Sequence, residues 1–373
     1  MVASFRGFIE EKYFDEIYKQ VEIHIIQNRT TIPFRTNRID NVSYVTLEDA
    51  YFKRFYVHDY SKDKIGITII VEAQVTLKQY IHGECEYDTD YPWFLVKCSC
   101  NFNENITNFK VKSIESYEIL DKEQFGLTDN LIPYIKKERL DEYANKILQH
   151  IYPEALEGQP IDPYIFAKRL NLTIKEVNFK NENKMGSIFF EEHRTKNAKG
   201  EIKITPANTI KVSKKADFLG FHGCKNFTIM HECVHYLLHR RAFQLERLFN
   251  KKAKSIECHV DGTGLTDAKT TVIDWMEWQA NSLAPRLLMP AEPFKKKVSE
   301  LFEQYQFQYE TNDLLKYYES IMYDLASFYG APVESVKIRL IELGYEFPLG
   351  CFITVDGVPV PPHSFSKGSL ASN

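Results

Sequence analysis

Apolar residues in the first third of the chain follow the periods of one helix and several strands. Residues 9–27 carry apolar side chains at helical spacing, which predicts an opening helix. Beyond it, apolar and mostly polar residues alternate, as in a strand with one buried face. The alternating apolar positions are Ile69, Val71, Ala73, Val75 and Leu77 in one segment and Phe94, Val96, Cys98, Cys100 and Phe102 in another. Residues 1–125 are therefore predicted to form a separate β-rich N-terminal domain.

The pair Cys98 and Cys100 has two interpretations, metal ligation or core packing. A separation of two residues places both thiols on the apolar face of the strand, beside Phe94 and Val96. Buried thiols pack as small apolar side chains. We therefore expect both cysteines in the core.

From about residue 130 the pattern changes to helices with a few short strands. Apolar residues at steps of three and four are Leu140, Tyr143, Ala144, Ile147, Leu148 and Ile151. Pro153 closes this helix, and Asp162 is the expected N-cap of a second, short helix. Short apolar runs at 172–179, 187–190 and 209–212 predict a small sheet ahead of the next helix.

The sequence pattern of the C-terminal part predicts two more helices and a hairpin. The helical patterns occupy residues 318–329 and 333–343, with Gly-Ala-Pro between them. Asp356-Gly357, between alternating apolar residues, is a hairpin signal. These patterns predict an α+β protein. Its parts are the N-terminal domain at 1–125, a second domain at 130–345, and a C-terminal hairpin and tail at 346–373.

Composition and charge fit a globular protein and disfavour two classes of partner. Hydrophobic residues make up 44% and charged residues 26%, which argues against a disordered chain. The net charge of -4 gives no electrostatic support for nucleic-acid binding. Charges interrupt the first apolar residues, no later apolar run is long enough to span a membrane, and the seven cysteines are scattered. We therefore expect a cytoplasmic protein with reduced thiols and no membrane partner.

The segment NFTIMHECVHYLLHRR contains His231, Glu232 and His235 in the order His-Glu-x-x-His. Residues four apart on a helix share one face, so both imidazoles can bind one metal ion with Glu232 beside it. No Pro or Gly interrupts the segment, and Asn226 or Thr228 is the expected N-cap. The pattern predicts a zinc hydrolase in which Glu232 is the general base and not a ligand.

A catalytic zinc requires a third protein ligand and one open position. One class of zinc proteases takes a histidine six residues after the second histidine, but position 241 is Arg. Another class takes a glutamate from a second helix. The segment DWMEWQANSLAPRLLMP offers Glu277, on a helix for which Asp274 is the expected N-cap. Asn281 shares the face of Glu277 and could hydrogen-bond a ligand from behind.

Together these segments resemble the ImmA/IrrE-type metallo-endopeptidases. The resemblance is carried by Phe227-Thr228, His231-Glu232-Cys233-Val234-His235, Tyr236-Leu237-Leu238-His239, Glu277-x-x-Ala280-Asn281 and Leu287-Leu288-Met289-Pro290. It covers about residues 130–345 and implies a zincin-like fold, in which the active-site helix packs against a small sheet. Two positions depart from the family pattern: Pro285 falls inside the second helix, and Gln279 stands where many relatives have a second acid.

The resemblance also implies the activity. One zinc ion per chain, held by His231, His235 and Glu277, would activate water for peptide-bond hydrolysis with Glu232 as the base. The implied substrate is a protein, such as a DNA-binding transcriptional repressor. We expect an edge strand near residues 186–190 to bind the substrate backbone by strand addition.

Alternatives stay open for several residues. His239 could contact the metal site or serve only as a structural residue at the helix end, and Cys233 is expected in the core. If zinc does not depend on Glu277, then Asp274 or His239 is the third ligand.

A different function is also compatible with the sequence. The two C-terminal helices fit a helix-turn-helix, so the chain could be a DNA-binding transcriptional regulator with a structural or vestigial zinc site. Lys337 and Arg339 would contact phosphate, although Glu334 and Glu342 lie on the same helix.

Overall fold

The computed structural model describes most of the chain. The described residues are 4–35, 42–61, 63–81, 84–103, 105–117, 127–181, 184–196, 202–217, 223–250, 271–306, 314–345, 353–355 and 358–360. The helices are α1 (Phe5–Gln27), α2 (Leu140–Ile151), α3 (Pro163–Arg169), α4 (Cys224–Leu238), α5 (Arg240–Phe249), α6 (Val272–Leu288), α7 (Ala291–Gln306), α8 (Leu314–Tyr329) and α9 (Val333–Glu342). The strands are β1 (Tyr44–Ser61), β2 (Lys64–Ile81), β3 (Glu84–Asp90), β4 (Trp93–Phe102), β5 (Ile106–Ser116), β6 (Thr173–Val177), β7 (Gly186–Phe189), β8 (His193–Lys196), β9 (Ile202–Thr205), β10 (Thr209–Ser213), β11 (Ile353–Val355) and β12 (Val358–Val360).

The chain forms two compact units. The first unit contains Met1–Tyr134 and Arg241–Ala253, and the second contains Ile135–Arg240 and Lys254–Asn373. This division differs from the linear one that the sequence predicts, because α5 belongs to the first unit although it follows α4 directly. The sequence pattern could not predict that α5 belongs to the first unit, because periodicity indicates the local structure of a segment and not the distant segments that it packs against.

The first unit is a helix packed on a five-stranded antiparallel sheet. Strand β2 is central: β1 pairs along one of its sides, while β3 and β4 pair end to end along the other. Strand β5 continues the sheet beyond β4. Helix α1 begins one turn earlier than the sequence predicts, where the Ser4 hydroxyl accepts a hydrogen bond from the N–H of Gly7 at 2.9 Å.

The predicted alternation in β2 and β4 is confirmed by burial. Fully buried inward-facing residues are Ile69, Val71, Ala73, Val75, Leu77, Phe94, Val96 and Phe102. Cys98 and Cys100 are buried on the same face, and burial raises the pKa of each thiol to about 12. Ile70, which the alternation places on the opposite face, is fully buried as well. Both faces of the central strand are therefore covered at this point.

Helix α5 is anchored in the first unit by one apolar and one charged residue. Leu245 lies in the same buried cluster as the inward residues of α1 and the sheet. The buried guanidinium of Arg241 donates to the backbone carbonyl of Phe102 at 2.9 Å and to the carboxylate of Asp59 at 2.7 Å. Charge-assisted bonds of this kind are among the stronger ones in proteins, so Arg241 fixes the start of α5.

The second unit places α4 against a small sheet. Its three strands run in the order β6-β10-β7, with β10 parallel to β6 and antiparallel to β7. Ile188 of β7 and Ile210 of β10 are fully buried in the layer between sheet and helix. Among the described strands β7 lies at the edge of this sheet, as expected for residues 186–190. The predicted short helix α3 is also present, with Asp162 as its N-cap.

Two helix starts correct the sequence-based expectations. Neither Asn226 nor Thr228 caps α4; the N-cap is Gly223, in the left-handed region with a φ of 93°. Asn226 instead donates to the carbonyl of Gly330 at 3.0 Å, and the Thr228 hydroxyl donates to the carbonyl of Cys224 at 2.8 Å. Only glycine adopts this φ without strain, which explains the residue at the cap.

Helix α6 starts at Thr271 and not at Asp274. The Thr271 hydroxyl accepts the N–H of Asp274 at 3.1 Å, and the Asp274 carboxylate accepts the N–H of Thr271 at 2.8 Å, a reciprocal capping box. The helix continues through Pro285 to Leu288. The carboxylate of Asp274 is therefore engaged at the helix start, one turn before Glu277.

The C-terminal helices and hairpin strands follow the sequence prediction, whereas α7 was not predicted. Strands β11 and β12 pair antiparallel. The predicted turn residues Asp356 and Gly357 lie outside the described residues. Within the described part of the chain, no helix is both long and apolar enough to cross a membrane.

Candidate metal centre

His231 and His235 on α4 converge with Glu277 on α6. Their ligand atoms all lie within 4.8 Å of one another. Both imidazoles are fully buried, while the Glu277 side chain is 19% exposed. Ala280, one turn after Glu277, is fully buried and leaves room for the two helices to pack closely. The His-Glu-x-x-His segment and the second helix therefore meet as the sequence predicts.

The spacing of the three donors fits a tetrahedral ion. Nε2 of His231 lies 3.0 Å from Nε2 of His235, and the Glu277 carboxylate oxygens lie 3.3 Å and 3.5 Å from these nitrogens. Atoms that share one tetrahedral zinc at about 2.0 Å are roughly 3.3 Å apart. Both carboxylate oxygens of Glu277 are buried without a hydrogen-bond partner among the described residues. Two nitrogens and an acidic oxygen in this arrangement are a donor set that could hold a metal ion.

Burial favours the neutral form of two histidines on α4, His235 and His239. Desolvation lowers the pKa of His235 well below its ordinary value, and the neighbouring His231 and His239 lower it further. Desolvation likewise lowers the pKa of His239 to about 4. A neutral imidazole has a lone pair to donate, whereas an imidazolium does not.

Glu232 is buried next to the donors without being one of them. Desolvation raises the pKa of its carboxyl group well above the usual value, the charge of Glu277 raises it further, and Lys184 opposes the shift. Gly186 of β7 lies directly behind the carboxylate: a Cβ built on Gly186 would come 2.4 Å from Oε1 of Glu232 and 2.6 Å from Cγ2 of Thr228. The absence of a side chain at position 186 therefore makes room for Glu232.

The other predicted site residues have different places. His239 is fully buried, and its Nδ1 lies 2.8 Å from Nδ1 of His235, on the side away from Glu277. Asn281 lies on α6 one turn after Glu277 and makes no hydrogen bond to the three donors among the described residues. Cys233 is fully buried, as predicted for a core residue.

Gln279 contacts His239, and the sequence did not predict this contact. Its Oε1 lies 2.8 Å from Nε2 of His239, and its side chain is buried. A signal was present, because position 279 falls on the apolar stripe of α6 with Met276, Ala280 and Leu283. A polar residue on a buried stripe requires a hydrogen-bond partner.

The two basic residues of α9 that the regulator alternative assigns to phosphate contact have partners within the second unit. The guanidinium of Arg339, the expected phosphate contact on α9, is buried and donates to the carbonyl of Met289 at 3.1 Å and to the carboxylate of Asp141 at 3.2 Å. Lys337 lies 3.7 Å from the Glu334 carboxylate. Arg339 therefore holds α9 against α2 and α6 and is engaged in contacts within the second unit.

A His-Glu-x-x-His helix joined by an acidic donor from a second helix is the arrangement of a metal-dependent hydrolase. Residues 222–340 match the IrrE N-terminal-like domain, the Peptidase M78 family. This match confirms the resemblance that the sequence motifs indicate. No curated protein sequence matches the chain.

Proposed function

We propose that the chain is a zinc-dependent endopeptidase in which His231, His235 and Glu277 bind the zinc and Glu232 is the general base. The observation that carries the proposal is the convergence of the three donors from two helices, with Glu232 beside them on α4. The match to a peptidase family supports the reaction type. The packing of α4 on a small sheet supports a zincin-like fold for the second unit.

The metal and the base have separate tasks. A zinc ion in this site would lower the pKa of water from about 15.7 towards 7 and polarise the scissile carbonyl. Glu232 accepts the proton of the attacking water and delivers it to the leaving amine. Burial suits Glu232 to both steps, because a raised pKa allows the carboxyl group to take and release a proton nearer to neutral pH.

We propose that substrate binds along β7. An edge strand has backbone N–H and C=O groups that can pair with an extended peptide. Gly186 connects this edge to the reaction, because it is the β7 residue that lies against the Glu232 carboxylate. A peptide paired with β7 would therefore run past the base.

The substrate class follows from the family resemblance and the compartment from the cysteines. The family resemblance implies a protein substrate, and we propose a regulatory protein such as a DNA-binding repressor. The cysteines within the described residues, Cys85, Cys98, Cys100, Cys224 and Cys233, are all free thiols. Reduced thiols support a cytoplasmic setting.

Glu232→Gln tests the proposal. Its amide keeps the shape of the side chain and leaves the metal donors in place, but it cannot act as a base. We expect the zinc content of wild type by elemental analysis and a loss of peptidase activity of about 100-fold or more. Activity is measured by identifying new protein N-termini in a cell extract incubated with each protein. Equal cleavage by both proteins, or none by wild type, contradicts the proposal.

A further inference from the structure

Three histidines and one glutamine form a buried chain of ring-nitrogen contacts behind the proposed metal site. His231, His235 and His239 occupy successive turns of α4, and all are fully buried. Nδ1 of His235 lies 2.8 Å from Nδ1 of His239, and Nε2 of His239 lies 2.8 Å from Oε1 of Gln279. Each of these contacts requires one proton, so the direction of one bond decides the direction of the next.

The direction follows from the amide oxygen of Gln279. A carbonyl oxygen only accepts, so Nε2 of His239 carries the proton and donates it. The ring nitrogens of the fully buried His239 meet a histidine and an amide and not a carboxylate, so its imidazole carries a single proton. Its Nδ1 must then accept, and the partner Nδ1 of His235 must donate. With its proton on Nδ1, the His235 ring directs the Nε2 lone pair at His231 and Glu277.

We propose that His239 and Gln279 are positioning residues that hold His235 in the Nδ1–H tautomer and so prepare its Nε2 atom as a metal donor. The inference rests on the proposed metal-binding function of His235. Neither positioning residue is one of the three converging donors. Partners behind a ligating histidine commonly change metal affinity by 10- to 100-fold.

The reverse direction would disable the donor. If the Gln279 amide presented its NH2 group to His239, then His239 would accept at Nε2 and donate from Nδ1. His235 would then accept at Nδ1 and carry its proton on Nε2, between His231 and Glu277. A side chain at position 279 that offers only an oxygen acceptor favours the Nδ1–H tautomer of His235. A side chain without a polar atom favours neither tautomer.

Two substitutions at position 279 form a matched pair of variants. Gln279→Glu keeps an oxygen acceptor of the same length, whereas Gln279→Leu has similar volume and no acceptor. Leucine suits the apolar stripe of α6, and glutamate has the size of glutamine and can keep the contact with His239. Circular dichroism and gel filtration check that both variants fold. Gln244→Leu, which removes a buried amide from α5 in the first unit, controls for amide loss as such.

The tautomer is read directly in the metal-free protein. Long-range ¹H–¹⁵N correlation spectra of histidine-labelled full-length protein distinguish protonated from unprotonated ring nitrogens. We expect His235 protonated at Nδ1 and unprotonated at Nε2 in wild type, in Gln279→Glu and in Gln244→Leu. Gln279→Leu is expected to show a mixture of both tautomers.

Zinc affinity gives the second readout, by competition with a chromophoric chelator. We expect Gln279→Leu to bind zinc about 10- to 100-fold more weakly than wild type. Gln279→Glu should bind at least as tightly as wild type, and Gln244→Leu equally well. Equal losses in the Glu and Leu variants would show a packing role and overturn the inference, as would an unchanged His235 tautomer in Gln279→Leu. If wild type binds no zinc, the proposed function fails, while the metal-free spectra still decide the tautomer.

Discussion

The backbone of Gly186 lies against the carboxylate of Glu232, and a Cβ at position 186 would come 2.4 Å from its Oε1 atom. Gly186→Ala must therefore displace Glu232, although the backbone of β7 tolerates alanine. A shift of about 1 Å in a catalytic group can cost on the order of 100-fold in rate. We predict a loss of this order in peptidase activity with unchanged zinc content, measured by cleavage assay and elemental analysis.

Ser187→Ala is the matched control for that prediction. Successive residues of a strand face opposite sides, so the Ser187 side chain points away from α4. Its hydroxyl is buried without a hydrogen-bond partner among the described residues, and its removal should leave activity near that of wild type. Equal losses in both variants would show that the strand, and not the space behind Glu232, had been disturbed.

Glu277→Ala is predicted to weaken zinc binding sharply, and His231→Ala to abolish it. Each change removes one of three converging donors. The comparison with Asp274→Ala identifies the third ligand. That variant breaks the capping box of α6, which costs about 1 kcal/mol of helix stability, but should keep its zinc. Elemental analysis that found full zinc in Glu277→Ala and none in Asp274→Ala would reverse the assignment.

Asp141→Asn is predicted to destabilise the second unit through Arg339. The guanidinium is 1% exposed, and Asp141 on α2 is its partner across the helices. Removing the charge leaves a buried cation with weaker partners. Because the Asp141 side chain is 39% exposed, we expect a loss of about 2 kcal/mol and not the full cost of breaking a buried pair. Urea unfolding measures it, and exposed Glu142→Gln should show no comparable change.

The same ion pair predicts a dependence of stability on pH. Burial alone would raise the pKa of Asp141, but the hydrogen bond and charge of Arg339 outweigh it, so the pKa lies below the usual value. A carboxyl group with a lowered folded-state pKa stabilises the fold above its unfolded pKa, about 3.9, and this contribution is lost as the pH falls further. As the pH is lowered below about 4, we expect the midpoint urea concentration of unfolding to decrease more steeply in wild type than in Asp141→Asn. Trp275 and Trp278 on α6 report the second unit in a Trp93→Phe background.

A truncated protein that begins near Leu127 should not reveal the role of the N-terminal domain, because the truncation also exposes α5. Such a chain keeps α5 but lacks the sheet around Leu245 and the partners of Arg241. We predict aggregation, measured by light scattering. Replacing residues 241–253 by a short polar linker in the same truncated chain should restore solubility and zinc binding. A soluble truncated chain without that replacement would show that α5 does not need the first unit.

The local sequence patterns predicted secondary structure and the residues that share one face of an element. The alternation around Val71 identified β2 and its inward face, because every second residue of a strand shares a face. The four-residue step from His231 to His235 placed both donors on one side of a helix. Even Glu277 could be chosen, since a second helix with a donor is the common partner of such a segment.

Contacts between distant segments could not be predicted in this way. Nothing in the sequence around Leu245 states that its partners lie in α1 and the N-terminal sheet. The pairing of His239 with Gln279 and the packing of Gly186 behind Glu232 depend on how α4 meets α6 and β7. The local pattern of hydrophobic and polar residues does not reveal such tertiary contacts.

The place of α5 in the first unit also sets an order of events during synthesis. A ribosome completes residues 1–134 and then the whole of α4 before Leu245 emerges, so the N-terminal core keeps an uncovered apolar surface until then. A nascent chain stalled when residue 240 has left the ribosome should be cut readily by added protease within residues 1–134. One stalled after residue 253 has left should resist, and equal resistance would mean that the sheet closes without α5. We therefore predict that the first unit finishes folding only after α4 has been made.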